Sequence, residues 1–252
     1  MTLLVDAGDT ALRWVRLEGG VVATRGTVEH LGVEPADWQA ALAAAVDAPR
    51  RVVIASAAGS AVDVRLRDLV RRQWQIEAEF PVAPAGALGL RNACADPAML
   101  GSHRWLGMLA AWRRAAGALV VLNIGIVLIA DLVDVSGMHR GGCRIPGTRL
   151  MREALHAQTS GVAAAAMLDP EAVVDGFGVN TAGAVAQGAR LALAAVGEQA
   201  TAALRSAADI KPTVYVTGSA AEEIIPLLRQ AVIAAPDLVL DGLALLIATE
   251  SA

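Results

Sequence analysis

The chain has 252 residues, 55% of them hydrophobic and many of those alanine, with a formal net charge of −4. That length supports one large domain or two of about 120 residues, each able to bury a core. The acidic balance and scattered arginines exclude a nucleic-acid footprint, and the apolar run Ala118–Ala130, interrupted by Asn123, is too short to span a bilayer.

Taken in order, residues 2–6, 11–17 and 20–26 alternate as an antiparallel strand trio, with a polar turn at Gly8, Asp9 and Thr10. A helix over Asp37–Ala45, a strand at Arg51–Ser56, an amphipathic helix at Ser60–Trp74 and a short strand near Ile76–Val82 follow. Asp96-Pro97 signals a helix start, and Trp105, Met108, Leu109 and Trp112 recur at i, i+3, i+4 and i+7 along a helix that should end by Gly117. That stripe reads as core or dimer packing. The pattern then restarts with strands at 118–124, 126–134 and about 138–145, a helix from Gly147 to His156 and a long helix after Asn180-Thr181. Strand Thr213–Thr217 runs into Gly218-Ser219, a helix through Gln230 and a last helix after Asp241.

The restart is a duplication. Asp6 falls on Asn123, Gly8 on Gly125 and Gly20 on Gly137, each 117 residues later. A strand-glycine-strand tip offers backbone N–H groups to a phosphate, and two copies facing one cleft can hold a nucleotide between them. The expected division is 1–116 and 117–252. The first tip is polar (Asp6, Asp9, Thr10) and the second nearly apolar (Asn123, Ile126, Val127).

The single lysine, Lys211, lies in no GxxxxGK[ST] loop, so P-loop and protein-kinase chemistry are excluded. Cys94 and Cys143 lack ligand or disulfide spacing. Because Asp6 interrupts the apolar start, no signal peptide is expected and the location is expected to be cytoplasmic.

Three hairpin strands followed by alternating helix and strand, twice over, resemble the duplicated actin-like ATPase and sugar-kinase (ribonuclease H-like) α/β fold, two similar halves around a nucleotide cleft. Within it, VDAGDT at Val5–Thr10, LRNACADPAMLGSHRW at Leu90–Trp105 and GGCRIPGTRLMREAL at Gly141–Leu155 resemble the type III pantothenate kinases. NTAGAVAQG at Asn180–Gly188, VYVTGSA at Val214–Ala220 and LVLDGLAL at Leu238–Leu245 extend the resemblance over nearly the whole chain. It implies ATP-dependent phosphorylation of pantothenate, the first step of coenzyme A synthesis, by a homodimer using Mg²⁺ and a monovalent cation. By the same resemblance, Asp6, Gly8, Asp9, Thr10, Gly125 and Gly218 line the nucleotide phosphates, while Gly101, Arg104 and Thr181 contact pantothenate. Asp6 and Asp131 are the implied cation carboxylates.

Four positions depart from the family pattern. Asp9 replaces an asparagine, His103 stands where an aspartate serves as base, Asn92-Ala93-Cys94 lacks a tyrosine, and Gly125-Ile126-Val127 replaces Gly-Thr-Ala. Three classes therefore stay open: a kinase with weak turnover, an inactive paralogue that binds nucleotide or pantothenate as a regulator, and a structural interaction protein.

Overall fold

The computed structural model describes residues 1–46, 48–160, 173–174, 176–208 and 211–250. They form two compact units, Met1–Arg114 with Asp237–Ala252, and Ala115–Pro236.

In the first unit, β1 (Thr2–Ala7), β2 (Ala11–Glu18), β3 (Val21–Glu29), β4 (Arg51–Ser56) and β5 (Ala78–Glu79) lie in the order β3-β2-β1-β4-β5. The first three are antiparallel, and β4 and β5 add parallel. Leu3, Val5, Leu12 and Trp14 pack on Trp38 and Leu42 of α1 (Pro35–Ala45) and on Leu66, Val70 and Trp74 of α2 (Ser60–Trp74). The periodic stripe lies on α3 (Ser102–Arg114), where Trp105, Met108 and Leu109 are buried. It packs against the C-terminal helix Leu238–Glu250, so Trp105, Met108 and Leu109 are core of this unit, while Trp112 is half-buried. The two helices touch through backbone: a Cβ on Gly242 would stand 2.2 Å from the Leu106 carbonyl oxygen.

The second unit repeats the plan with β8 (Leu119–Ile124), β9 (Val127–Val133), β10 (His139–Pro146), β13 (Thr213–Thr217) and β14 (Ile233–Ala234), ordered β10-β9-β8-β13-β14. Val120, Leu122, Ile124, Leu128 and Ala130 pack against Leu193, Ala200 and Leu204 of α5 (Thr181–Ala208). A further helix, α4 (Thr148–Gln158), follows β10. Between the two sheets the chain makes the small hairpin β6 (Gly86–Ala87) and β7 (Leu90–Arg91), and before α5 the ladder β11 (Val173–Val174) and β12 (Phe177–Gly178).

Three elements differ from expectation for local reasons. Asp96 caps only a 3-10 turn, Pro97–Leu100, because Gly101 at φ 83° breaks the path before α3 begins. The helix after Gly218 is cut to α6 (Ala221–Ile224), since Pro226 brings no N–H to continue the i→i−4 ladder. The last helix, α7 (Leu238–Glu250), starts before Asp241 and belongs to the first unit, whereas a division at 116/117 would assign it to the second. Among the described residues no helix is long and apolar enough to cross a membrane.

The duplicated hairpins differ at their tips. Gly8, Asp9, Thr10 and Ala11 lie between the paired Ala7 and Leu12, but only Gly125, Ile126 and Val127 lie between the paired Ile124 and Leu128. The second tip is one residue tighter. The loss is regained at the next turn, where residues 134–138 separate the paired Val133 and His139, against 18–21 between Leu17 and Val22. The constant 117-residue offset on either side conceals this slip along β9.

Candidate functional site

At the first tip, the Gly8 N–H donates to the Ala11 carbonyl at 3.1 Å, and His30 Nε2–H donates to the Gly8 carbonyl at 2.8 Å. The backbone N–H groups of His30 and Leu31 both donate to Thr10 O. Because β3 ends at Glu29 opposite Ala11, its next residue lands beside the tip and fixes it. His30 is a site residue that the motifs did not disclose, although the hairpin register places it there. Asp9 is exposed and Thr10 half-buried.

Behind the tip, Asp6 closes β1 and His103 occupies the first turn of α3, following the left-handed Gly101. His103 Nε2–H donates to Asp6 Oδ1 at 2.7 Å, with the side chains only 13% and 11% exposed. Burial disfavours the imidazolium most strongly of any single influence. It is outweighed by the charge and hydrogen bond of Asp6 together with the charge of Asp9, against opposition from Arg13, so the His103 pKa rises above 6.5. The histidine thus pairs with the carboxylate that the resemblance assigns to a cation. Arg104 follows in the same turn, half-buried.

The second tip is clamped from both sides. Gly218, at φ 100°, presses on it so closely that a Cβ would stand 2.4 Å from Ile124 O and 2.6 Å from Asn123 Oδ1. On the other side a Cβ on Gly147 would meet Gly125 O at 2.3 Å. Every contact uses tip polarity: Ala220 N–H donates to Ile124 O, Gly147 N–H to Ile126 O, and Gly125 N–H to Val127 O. Gly218 and the Gly125 turn thus pack directly on one another.

The remaining second-unit residues lie elsewhere. Asp131, farther along β9, is buried and accepts from His139 Nε2–H at 3.0 Å, while His139 Nδ1 is buried without a hydrogen-bond partner. Thr181 opens α5, where Asn180 Oδ1 caps the Gly183 N–H at 2.7 Å, and it borders an open groove of about 750 Å³ with Met151 and Val185.

The profile of the type III pantothenate kinase family matches residues 2–203. A type III pantothenate kinase of Nitrosococcus oceani is 33% identical over 97% of this chain and 92% of its own length, and one of Alkalilimnicola ehrlichii is 34% identical over 96% of both chains. The chain belongs to the type III pantothenate kinase family. Its fold is that of the actin-like ATPases, with two mixed α/β halves. A Baf family protein from Campylobacter jejuni superposes at a TM-score of 0.64 with 14% identity, covering 99% of this chain and 98% of that one. A protein of Sinorhizobium meliloti assigned as a 2-dehydro-3-deoxygalactonokinase gives a TM-score of 0.57 at 14% identity, covering 99% of each.

For a type III pantothenate kinase, the cation sites are the point of departure. Divalent magnesium takes one or two carboxylates together with phosphates and waters. Here Asp6 Oδ1 is committed to His103 and Asp131 Oδ1 to His139, and no three acidic, imidazole or thiol side chains among the described residues cluster as ligands. A cation held by either carboxylate would compete with the histidine bonded to it.

Proposed function

We propose that this protein phosphorylates pantothenate slowly with ATP, a cytoplasmic step of coenzyme A synthesis, with His103 in the role of general base. The observation that carries the reading is the 2.7 Å bond joining His103 to the carboxylate at the first glycine turn, in a chain of this family. Phosphoryl transfer is mainly positioning and electrostatics, with a base orienting the attacking hydroxyl. A carboxylate bonded to an imidazole does two things for such a base: it fixes the ring and raises its proton affinity. In this reading Gly8, Asp9, Thr10, Gly125 and Gly218 line the phosphates. Gly101, Arg104 and Thr181 serve pantothenate, whose carboxylate matches the guanidinium fork of Arg104.

Slowness follows from three features. A ring places its nitrogen differently from a carboxylate oxygen, and a misplacement of about 1 Å costs roughly a hundredfold. Asp9 sets an extra negative charge beside the phosphates, and Ile126 brings no hydroxyl. A coupled assay of ATP turnover with pantothenate, run with and without Mg²⁺ beside nucleotide calorimetry, tests the reading. Slow phosphopantothenate formation with measurable nucleotide binding is expected, and absence of both overturns it. The tight second tip favours one other reading, an inactive paralogue that binds nucleotide as a regulator. It predicts binding heat without product.

We also propose a homodimer. No residue of α4 is buried, its Leu155 is exposed, Val179 (62%) borders the same groove, and Phe177 (68%) stands exposed two residues before it. Light scattering at micromolar concentration should give twice the chain mass, and Leu155→Glu should halve it. A wild-type monomer contradicts this.

A further inference from the structure

Three backbone polar groups of the second glycine turn are already paired. The Gly125 N–H is bonded to Val127 O at 3.2 Å, and the carbonyls of Ile124 and Ile126 accept from Ala220 and Gly147 at 2.9 and 2.7 Å. At the next two positions the side chains are Ile126 and Val127, neither carrying a donor. One hydroxyl nevertheless stands at the turn. Ser219 Oγ is 3.7 Å from the point where a Cβ on Gly125 would sit, nearer than any other neighbouring heavy atom outside Gly125 and its chain neighbours.

Its position is fixed by the backbone on both sides. Gly218 adopts φ 100° and lies against Ile124 O and Asn123 Oδ1, and the Ala220 N–H closes on Ile124 O. The Ser219 backbone is held between these two anchors, which keeps its side chain next to Gly125. It is exposed, so its hydroxyl is open to a solute.

We propose that Ser219 is the phosphate-contacting side chain of this turn, its Oγ–H donating to a phosphoryl oxygen of a nucleotide that lies against Gly125 and Gly218. It supplies from the strand-to-helix connection the donor that Ile126 does not supply from the hairpin. The inference rests on the nucleotide-binding part of the proposed function and assigns a residue to it. A hydroxyl donor to an ionised oxygen is a charge-assisted bond, stronger than a neutral one.

Calorimetry with ADP and with adenosine, on the wild type, Ser219→Ala and the double variant Ser219→Ala/Ile126→Thr, tests the assignment. Ser219→Ala should weaken ADP about tenfold, the size expected for one lost bond to a charged group, and leave adenosine unchanged. The added Ile126→Thr should restore part of the loss. Equal ADP affinity of wild type and Ser219→Ala overturns the role of Ser219 while leaving nucleotide binding in place. An equal loss for adenosine overturns it too, because the effect would not reside at phosphate. A wild type that binds neither ligand defeats the nucleotide-binding reading and this inference together. Since Ser219 is exposed, thermal melting of Ser219→Ala should match the wild type.

Discussion

His103→Asp lowers stability and does not raise the rate of pantothenate phosphorylation. The family pattern makes the change look like a repair, yet the new carboxylate would face Asp6 across the space now bridged at 2.7 Å, with the charge of Asp9 felt at the same place. Like charges in a mostly buried site force one to stay protonated or the pair to separate. Breaking a fully buried ion pair costs about 3–5 kcal/mol, so about 2–3 kcal/mol is expected for this slightly exposed one, read by urea denaturation. His103→Asn, which keeps a donor without the charge, should lose less. The pH dependence has a definite sign. Because the folded pKa of His103 lies above its ordinary value, the pair's contribution is complete below about pH 6.5 and is lost as pH rises through the folded value. The stability gap between wild type and His103→Asn should therefore narrow from pH 6 to the alkaline side. Turnover should improve only when Asp9→Asn, Ile126→Thr and Val127→Ala accompany His103→Asp, since groups acting as one unit are non-additive.

Gly242→Ala is expected to be a severe structural lesion in the first unit. The added methyl would lie 2.2 Å from Leu106 O, 2.7 Å from its carbonyl carbon and 2.9 Å from its Cα, all backbone that cannot rotate away. Helices α3 and α7 would have to move apart, opening the contact that buries Trp105, Met108, Leu109, Leu238 and Leu243. A loss of about 3 kcal/mol in denaturant unfolding is expected, at the upper end of the usual range for core overpacking. Gly117→Ala, which meets nothing within 4 Å, is the matched control and should stay within about 0.5 kcal/mol. Because α3 carries His103, Gly242→Ala should also disturb the Asp6 pair at a distance.

The elements most legible in the sequence were those with sharp local signals. Arg51–Ser56, Ser60–Trp74 and Thr213–Thr217 form at the residues their periodicity and flanking turns specify. The repeated sheet order follows from the repeated hairpins. What stayed hidden was set by partners distant along the chain. His103 and Asp6 are 97 residues apart, and nothing local says that the replaced residue reaches the glycine-turn carboxylate. The tip of the second hairpin slips by one residue and the next turn recovers it, so Gly8/Gly125 and Gly20/Gly137 keep the same spacing. The Trp105 stripe announced burial but not against what. Its partner α7 is so uniformly apolar that its sequence marks no preferred face.

The sharpest discriminator is the pH profile of pantothenate phosphorylation by the wild type, followed from pH 6 to 9 by product formation. With His103 as a base held by Asp6, kcat should stay well below about 1 s⁻¹, near the low end of ordinary enzymes, and should climb as the imidazole loses its proton above its raised pKa. Asp6→Asn should move that rise to lower pH. A flat profile, or a rate of about 1 s⁻¹ or faster that survives His103→Asn, would contradict the account.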